Sequence, residues 1–261
     1  ERPPGQVSKR VKNEQKKKVL FPEEPPHPFG VKRPCLEQNY YEVLDQDNVT
    51  IVNINEENGT PIERFTEKGI VANGEEREFD IIALATGFDV VSREGSTRYQ
   101  AADFGVSIQV TGGMTNMGLK SINGTYLKDE WKAAANTFLG TTISGYPNLF
   151  HINGPHGPTL LSNGPSTVEI QVRWIRDAIK QIERQGLKYV NPTKEASDEW
   201  KKRINDLAAP SLFPTTRSTY MGGSVPGKAF EMTCYSGGVN AYGPEIRGYL
   251  SGWKGFETVK V

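Results

Sequence analysis

Three stretches of this 261-residue chain group residue types that bind or react with small molecules. The first, Asp80-Ile81-Ile82-Ala83-Leu84-Ala85-Thr86-Gly87-Phe88-Asp89, is an apolar run that closes on a small residue, a threonine and a glycine. A strand ending this way lets the backbone approach a ligand at its carboxyl end, where α/β sheets bind. The plain alternative is a strand followed by a turn. The second is Lys32-Arg33-Pro34, in which Pro34 pushes Arg33 out of the helical region and helps fix its direction. Its plain alternative is a solvated basic pair beside a connector. The third comprises two glycine-rich loops, 154–165 and 220–238, of the kind through which a rigid scaffold presents binding groups. His156 lies in the first loop, where a lone histidine is more often a surface group than a base. His27, His151 and His156 have no metal-like spacing with one another or with the cysteines.

The elements that must position these groups follow from local patterns. Val49 to Ile54 is rich in β-branched residues, 62–66 alternates weakly, and 69–71 leads into an Asn73-Gly74 turn, so a hairpin is expected there. The run 81–85 lacks the alternation of a half-exposed strand and is too short for a helix, which predicts a strand buried on both faces in a layered α/β fold. Ser166 and Glu169 form a capping box ahead of Val168, Val172, Ile175, Ile179 and Ile182 at helical spacing, with Gly186 as terminator, predicting a helix over 166–185. A second helix is expected over 192–207, with Asn191-Pro192 as cap and first turn and Trp200, Ile204 and Leu207 on one stripe.

Composition narrows the function classes. Lysine plus arginine equals aspartate plus glutamate at 31 each, which gives no reason to expect nucleic acid or a membrane surface as partner. Seven basic residues against two acidic ones within 1–20, including Lys16 to Lys18, read as a solvated tail or helix, and five prolines within 21–34 read as an extended connector. No apolar run reaches the 18 or so residues of a spanning helix. Cys35 and Cys234 lack CxxC spacing, which predicts a reduced, cytoplasmic setting, and makes the three Asn-x-Thr triplets at Asn48, Asn58 and Asn123 incidental. The chain opens at Glu1 with neither methionine nor signal peptide and reads as a fragment.

The strand at 80–89 resembles a sequence marker of flavin- and NADPH-dependent class B monooxygenases, and Gly87-Phe88-Asp89 narrows the resemblance to Baeyer–Villiger monooxygenases. Other blocks agree in the same order: Pro28-Phe29-Gly30-Val31-Lys32-Arg33 ahead of Cys35-Leu36, Tyr146-Pro147-Asn148-Leu149-Phe150, Gly154-Pro155, Leu161-Ser162-Asn163, Glu169 with Gln171-Val172, and Val225-Pro226-Gly227-Lys228. The resemblance covers roughly 28–261. Two GxGxxG turns and the fingerprint Phe-x-Gly-x-x-x-His-x-x-x-Trp of that family are missing from the sequence. The resemblance therefore implies an α/β chain that is part of a flavoprotein with two Rossmann-like dinucleotide-binding domains, for FAD and NADPH, with its N-terminal half absent. It implies a connector over 1–27, the end of the NADPH domain over 28–92, and the end of the FAD domain with substrate-pocket loops over 93–261.

The implied activity inserts one oxygen of O2 beside a ketone carbonyl through a C4a-peroxyflavin, giving an ester or lactone, with the missing N-terminal half as partner. Arg33 matches the family arginine, an always-charged guanidinium suited to the peroxyanion and to the tetrahedral adduct. Lys32 matches a contact to the 2′-phosphate of NADPH. The resemblance assigns Ala85, Thr86, Gly87, Asp89, Thr219, Gly227 and Lys228 to cofactor binding, and Pro158, Thr159, Leu160 and Leu161 to the ketone pocket. The loop 220–228 is similar to one that closes over nicotinamide, although many relatives have tryptophan where this chain has Thr219. Two alternatives stay open: a non-catalytic truncated product or binding module of that fold, and an N- or S-oxidising flavin monooxygenase that needs no Arg33.

Overall fold

The computed structural model describes residues 7–54, 59–85, 112–158, 161–222 and 229–261, and the chain divides into two units, Glu1–Gly87 and Phe88–Val261. In the first unit, helix α1 (Glu14–Leu20) starts where the Asn13 side chain accepts from the N–H groups of Gln15 and Lys16 at 3.0 and 3.1 Å. Arg10 reaches Glu37 at 2.6 Å and Glu42 at 2.5 Å, which ties this end of the chain to α2 (Tyr40–Leu44). Hydrogen bonds from that guanidinium hold both carboxyl groups below the usual carboxylate range. The proline-rich stretch 21–34 forms no helix, as its composition predicts.

Strands β1 (Ile62–Phe65), β2 (Gly69–Ala72) and β3 (Glu75–Glu78) make an antiparallel sheet in that order. The β2–β3 hairpin closes on Asn73 and Gly74, both left-handed at φ 55° and 73°, as the Asn-Gly pair predicts. Two strand expectations are corrected. Residues 49–54 have no strand pairing. Residues 79–85 are irregular and exposed, Ile81 at 85% and Leu84 at 68%, instead of forming a doubly buried strand. A strand buried on both faces needs neighbours on each side and layers above and below; the described part of this unit offers only the small sheet β1–β3.

The second unit contains α3 (Gly112–Thr115), α4 (Leu127–Glu130), α5 (Gly164–Gln185), α6 (Lys194–Ala208) and α7 (Val239–Gly248), with β4 (Leu187–Pro192) paired antiparallel to β5 (Phe256–Lys260). The described elements therefore mix helices with small antiparallel sheets. The helix expected over 166–185 is α5, ending on left-handed Gly186, but its cap is Asn163, which accepts from Ser166 N–H, and not the Ser166–Glu169 box. Glu169 pairs with Arg173 instead. In α6 the cap is Thr193, and Asn191-Pro192 belong to β4. The Trp200 and Ile204 stripe is buried as read, with Leu207 at its edge. Trp200 stacks on Tyr235 with centroids 5.9 Å apart, and Trp174 of α5 donates its indole N–H to Ile246 O at 2.8 Å. Among the described residues no helix is long and apolar enough to cross a membrane.

His151 and His156 are buried in this unit, His156 at 1% exposure, so the surface position expected for His156 is corrected. Desolvation pushes both imidazoles down from about 6.5, His151 to about 4 and His156 to about 3, with the charges of Lys201 and of His151 adding at His156.

Replacing Trp200 by alanine leaves a large void beside Tyr235 and Tyr242 and is expected to cost about 3–5 kcal/mol, read from chemical denaturation of the chain. The histidines set a pH dependence. The unfolded chain takes up their protons near pH 6.5 while the fold keeps them neutral, so stability is full above that pH and falls as pH drops toward 4. Melting temperatures across this window are expected to fall, and His156→Gln, which cannot ionise, is expected to make the fall shallower.

Candidate functional site

The best-defined site in the second unit is the loop that runs from Thr137 to Pro158 and returns at Leu161. Its backbone is held in conformations that side chains resist: Leu139, Asn153 and His156 are left-handed at φ 58°, 57° and 64°. Each such residue costs on the order of 1–3 kcal/mol and persists where its surroundings fix it. The surroundings are buried hydrogen bonds. Gln171 of α5, with no exposed surface, donates through Nε2 to Gly140 O at 3.1 Å and to Tyr242 Oη at 3.0 Å, and accepts the Asn153 N–H at 2.8 Å through Oε1. Tyr242 passes its proton on to Leu139 O at 2.6 Å. The Thr137 hydroxyl lies 3.0 Å from Pro155 O, to which it donates, and 3.2 Å from His156 Nδ1.

Glycine is required at one crossing of this loop. Gly140 is left-handed at φ 66°, and a Cβ there would lie 2.6 Å from the Gly157 nitrogen, so the two chain passes touch backbone to backbone. His156 N–H donates to Thr233 O, and Tyr235 N–H to Gly157 O, each at 2.8 Å, while Trp200 indole N–H reaches His156 O at 3.3 Å. Pro158 is buried and accepts from Leu161 N–H at 2.9 Å; Leu161 is half-buried against the core. Ser162 hydrogen-bonds Thr167 through their hydroxyls. Thr219 opens a 3-10 turn, Thr219–Met221, and its carbonyl accepts from Gly222 N–H and from the Thr233 hydroxyl, both at 3.3 Å.

Of the residues the sequence singled out, Pro158, Leu161 and Thr219 thus fall in the second unit, with Pro158 and Thr219 joined through the segment that holds Thr233. Lys32 and Arg33 lie in the first unit, both exposed, in an irregular stretch that follows left-handed Gly30 and buried Val31. Ala85 is exposed at the end of an irregular stretch. Thr86, Gly87, Asp89, Thr159, Leu160, Gly227 and Lys228 lie outside the described residues. Thr137, Thr233 and Tyr242 were not legible as site residues, because each acts through a partner far along the chain. Gln171 stood out only as part of a family block.

Two features in and beside this loop suit a flavin dinucleotide. Asn153 Oδ1 in the loop and Ser218 Oγ beside the Thr219 turn are buried with no partner among the described residues, so each keeps a polar atom for a ligand. At Gly164, the first residue of α5, a Cβ would meet nothing within 4 Å, which leaves room for a flat group against the backbone at a helix N-terminus.

Comparison with known proteins gives one consistent answer. No family model matches the chain. The FAD-binding monooxygenase acrE of Aspergillus aculeatus is 45% identical over 252 residues, 96% of this chain and 39% of that protein. Cyclopentanone 1,2-monooxygenase of a Comamonas species is 38% identical over 90% of this chain and 39% of its own length. Among solved structures, cyclohexanone monooxygenase from Rhodococcus sp. Phi1 bound to NADP+ superposes with a TM-score of 0.81 at 30% identity, over 98% of this chain and 43% of that one. An oxidised steroid monooxygenase bound to NADP gives 0.78 at 30% identity. The chain spans about two-fifths of the length of the relatives it matches. In sequence and in fold, the chain is similar to about two-fifths of the length of FAD-binding and Baeyer–Villiger monooxygenases.

Proposed function

We propose that this chain is the C-terminal portion of a Baeyer–Villiger monooxygenase that converts a ketone, O2, NADPH and a proton into an ester or lactone, NADP+ and water. The observation that carries this reading is the likeness to ketone monooxygenases over nearly the whole chain in both sequence and fold. FAD, when bound, supplies the electron transfer from NADPH to O2. The residues of this chain supply charge, shape and exclusion of water. Lys32 holds the 2′-phosphate of NADPH as a point charge. Arg33 serves as the always-charged group that stabilises the negative charge developing on oxygen, a role worth most where water is excluded. Pro158, Thr159, Leu160 and Leu161 wall the ketone pocket. Thr219, Gly227 and Lys228 serve the nicotinamide side, and Ala85, Thr86, Gly87 and Asp89 allow a dinucleotide to approach the backbone. In this reading residues 1–27 are a connector, 28–92 end the NADPH domain and 93–261 end the FAD domain, in a protein of the cytoplasm.

A second reading applies to the chain by itself. Because it spans about two-fifths of its relatives, the other part of the fold supplies most dinucleotide contacts, and the lone chain is a folded remnant without turnover. Purified alone, the chain is expected to be colourless and inactive with NADPH and a ketone; a yellow lone chain overturns this division of labour. In the full-length flavoprotein, Arg33→Ala is expected to lower ester formation by about 10²–10³-fold while the flavin is still reduced by NADPH. Ester formation unchanged by that substitution removes Arg33 from the reaction, whereas a wild type that oxidises an amine or sulfide but forms no ester from a ketone favours an N- or S-oxidising enzyme.

A further inference from the structure

The segment Glu231 to Tyr235 runs between the two loops to which the proposed function assigns cofactor and ketone, and bonds to both. On one side Glu231 N–H donates to Met221 O at 3.1 Å and Thr233 N–H to Tyr220 O at 2.8 Å. On the other, Thr233 O accepts the His156 N–H and Gly157 O accepts the Tyr235 N–H, each at 2.8 Å. The segment itself is held firmly. Met232 and Cys234 are fully buried in the core, Met232 N–H donates to Asn205 Oδ1 of α6 at 2.9 Å, and Glu231 pairs with Lys201 at 2.8 Å. With its two neighbours pointed into the core, Thr233 turns its side chain away, and its hydroxyl proton is shared between Tyr220 O at 3.0 Å and Thr219 O at 3.3 Å.

Thr233 thus makes a backbone bond to each loop and adds a side-chain clamp on the Thr219 side. The receiving end on the pocket side is unyielding, because His156 is buried, left-handed and bonded to Thr137 and Trp200. A displacement at Thr219–Met221 is therefore passed to His156-Gly157-Pro158 and not absorbed by a soft joint.

We propose that Thr233 is a positioning residue that fixes the register between the Thr219–Met221 turn and the His156–Pro158 loop, so that binding of NADP+ at the first and of ketone at the second are energetically coupled. This rests on the proposed function for the ligands at the two loops. Coupling of this kind is reciprocal, so either ligand reports on it. A small error in register matters because the oxygen-transfer geometry tolerates little displacement.

The test is a ligand cycle on the full-length flavoprotein: dissociation constants for NADP+ with and without saturating ketone, in the wild type, Thr233→Val and Thr233→Ser. The wild type is expected to bind NADP+ more tightly when ketone is present. Thr233→Val keeps shape and backbone bonds but loses the hydroxyl; it is expected to weaken NADP+ binding about fivefold and bring the ketone effect close to one, with FAD content unchanged. Thr233→Ser, which keeps the hydroxyl, is expected to retain the ketone effect. A ketone effect that survives in Thr233→Val overturns the proposal, as does loss of FAD in both variants, which marks a merely structural role. Wild-type protein that binds no NADP+ overturns the functional reading itself and this proposal with it.

Discussion

Gln171 is the residue on which the arrangement of the second unit depends. One buried amide joins α5 to two separate points of the loop, Gly140 and Asn153, and to Tyr242 of α7. A buried amide that met only part of this demand would leave a polar group unsatisfied at about 1–3 kcal/mol. All three partners are met, so the same chemistry that makes the position costly also makes it specific. This bonding holds the chain at left-handed Leu139 and Asn153, and with them Gly140 where it approaches Gly157.

The core around the loop is aromatic, and the aromatic groups do two jobs. Trp200, Tyr235 and Tyr242 bury large apolar areas, and their polar ends each find a partner, at His156 O, Glu245 and Leu139 O. Packing and hydrogen bonding are therefore not separate layers in this unit. The strip from Glu231 to Tyr235 shows the same economy of design, with Met232 and Cys234 in the core and the backbone bonded outward to both neighbouring loops.

Legibility in the sequence follows the range of the interactions. The hairpin at Asn73-Gly74, helix α5 and the Trp200–Ile204 stripe were legible because each depends on residues within one or two turns of itself. The cap of α5 was misread by three residues because Asn163 and Ser166 both offer a capping oxygen, and only the geometry shows which is used. The segment 79–85 was misread for a different reason. Its pattern of Ile81-Ile82-Ala83-Leu84-Ala85 describes a strand between neighbours, and the described unit supplies none. His156 looked like a surface group because burial of an imidazole leaves no local signature; Thr137, Trp200 and Thr233, which enclose it, lie 19, 44 and 77 positions away. Family blocks singled out the two loops, yet were silent about the buried groups that shape them.

Both loops matter only if the proposed oxygen insertion takes place, and isotopic oxygen tests that directly. The full-length flavoprotein, supplied with NADPH, a ketone and 18O2, is predicted to yield an ester or lactone carrying one 18O atom at its bridging oxygen, with the second atom in water. Unlabelled product, or label recovered only on an added amine or sulfide, would contradict the account.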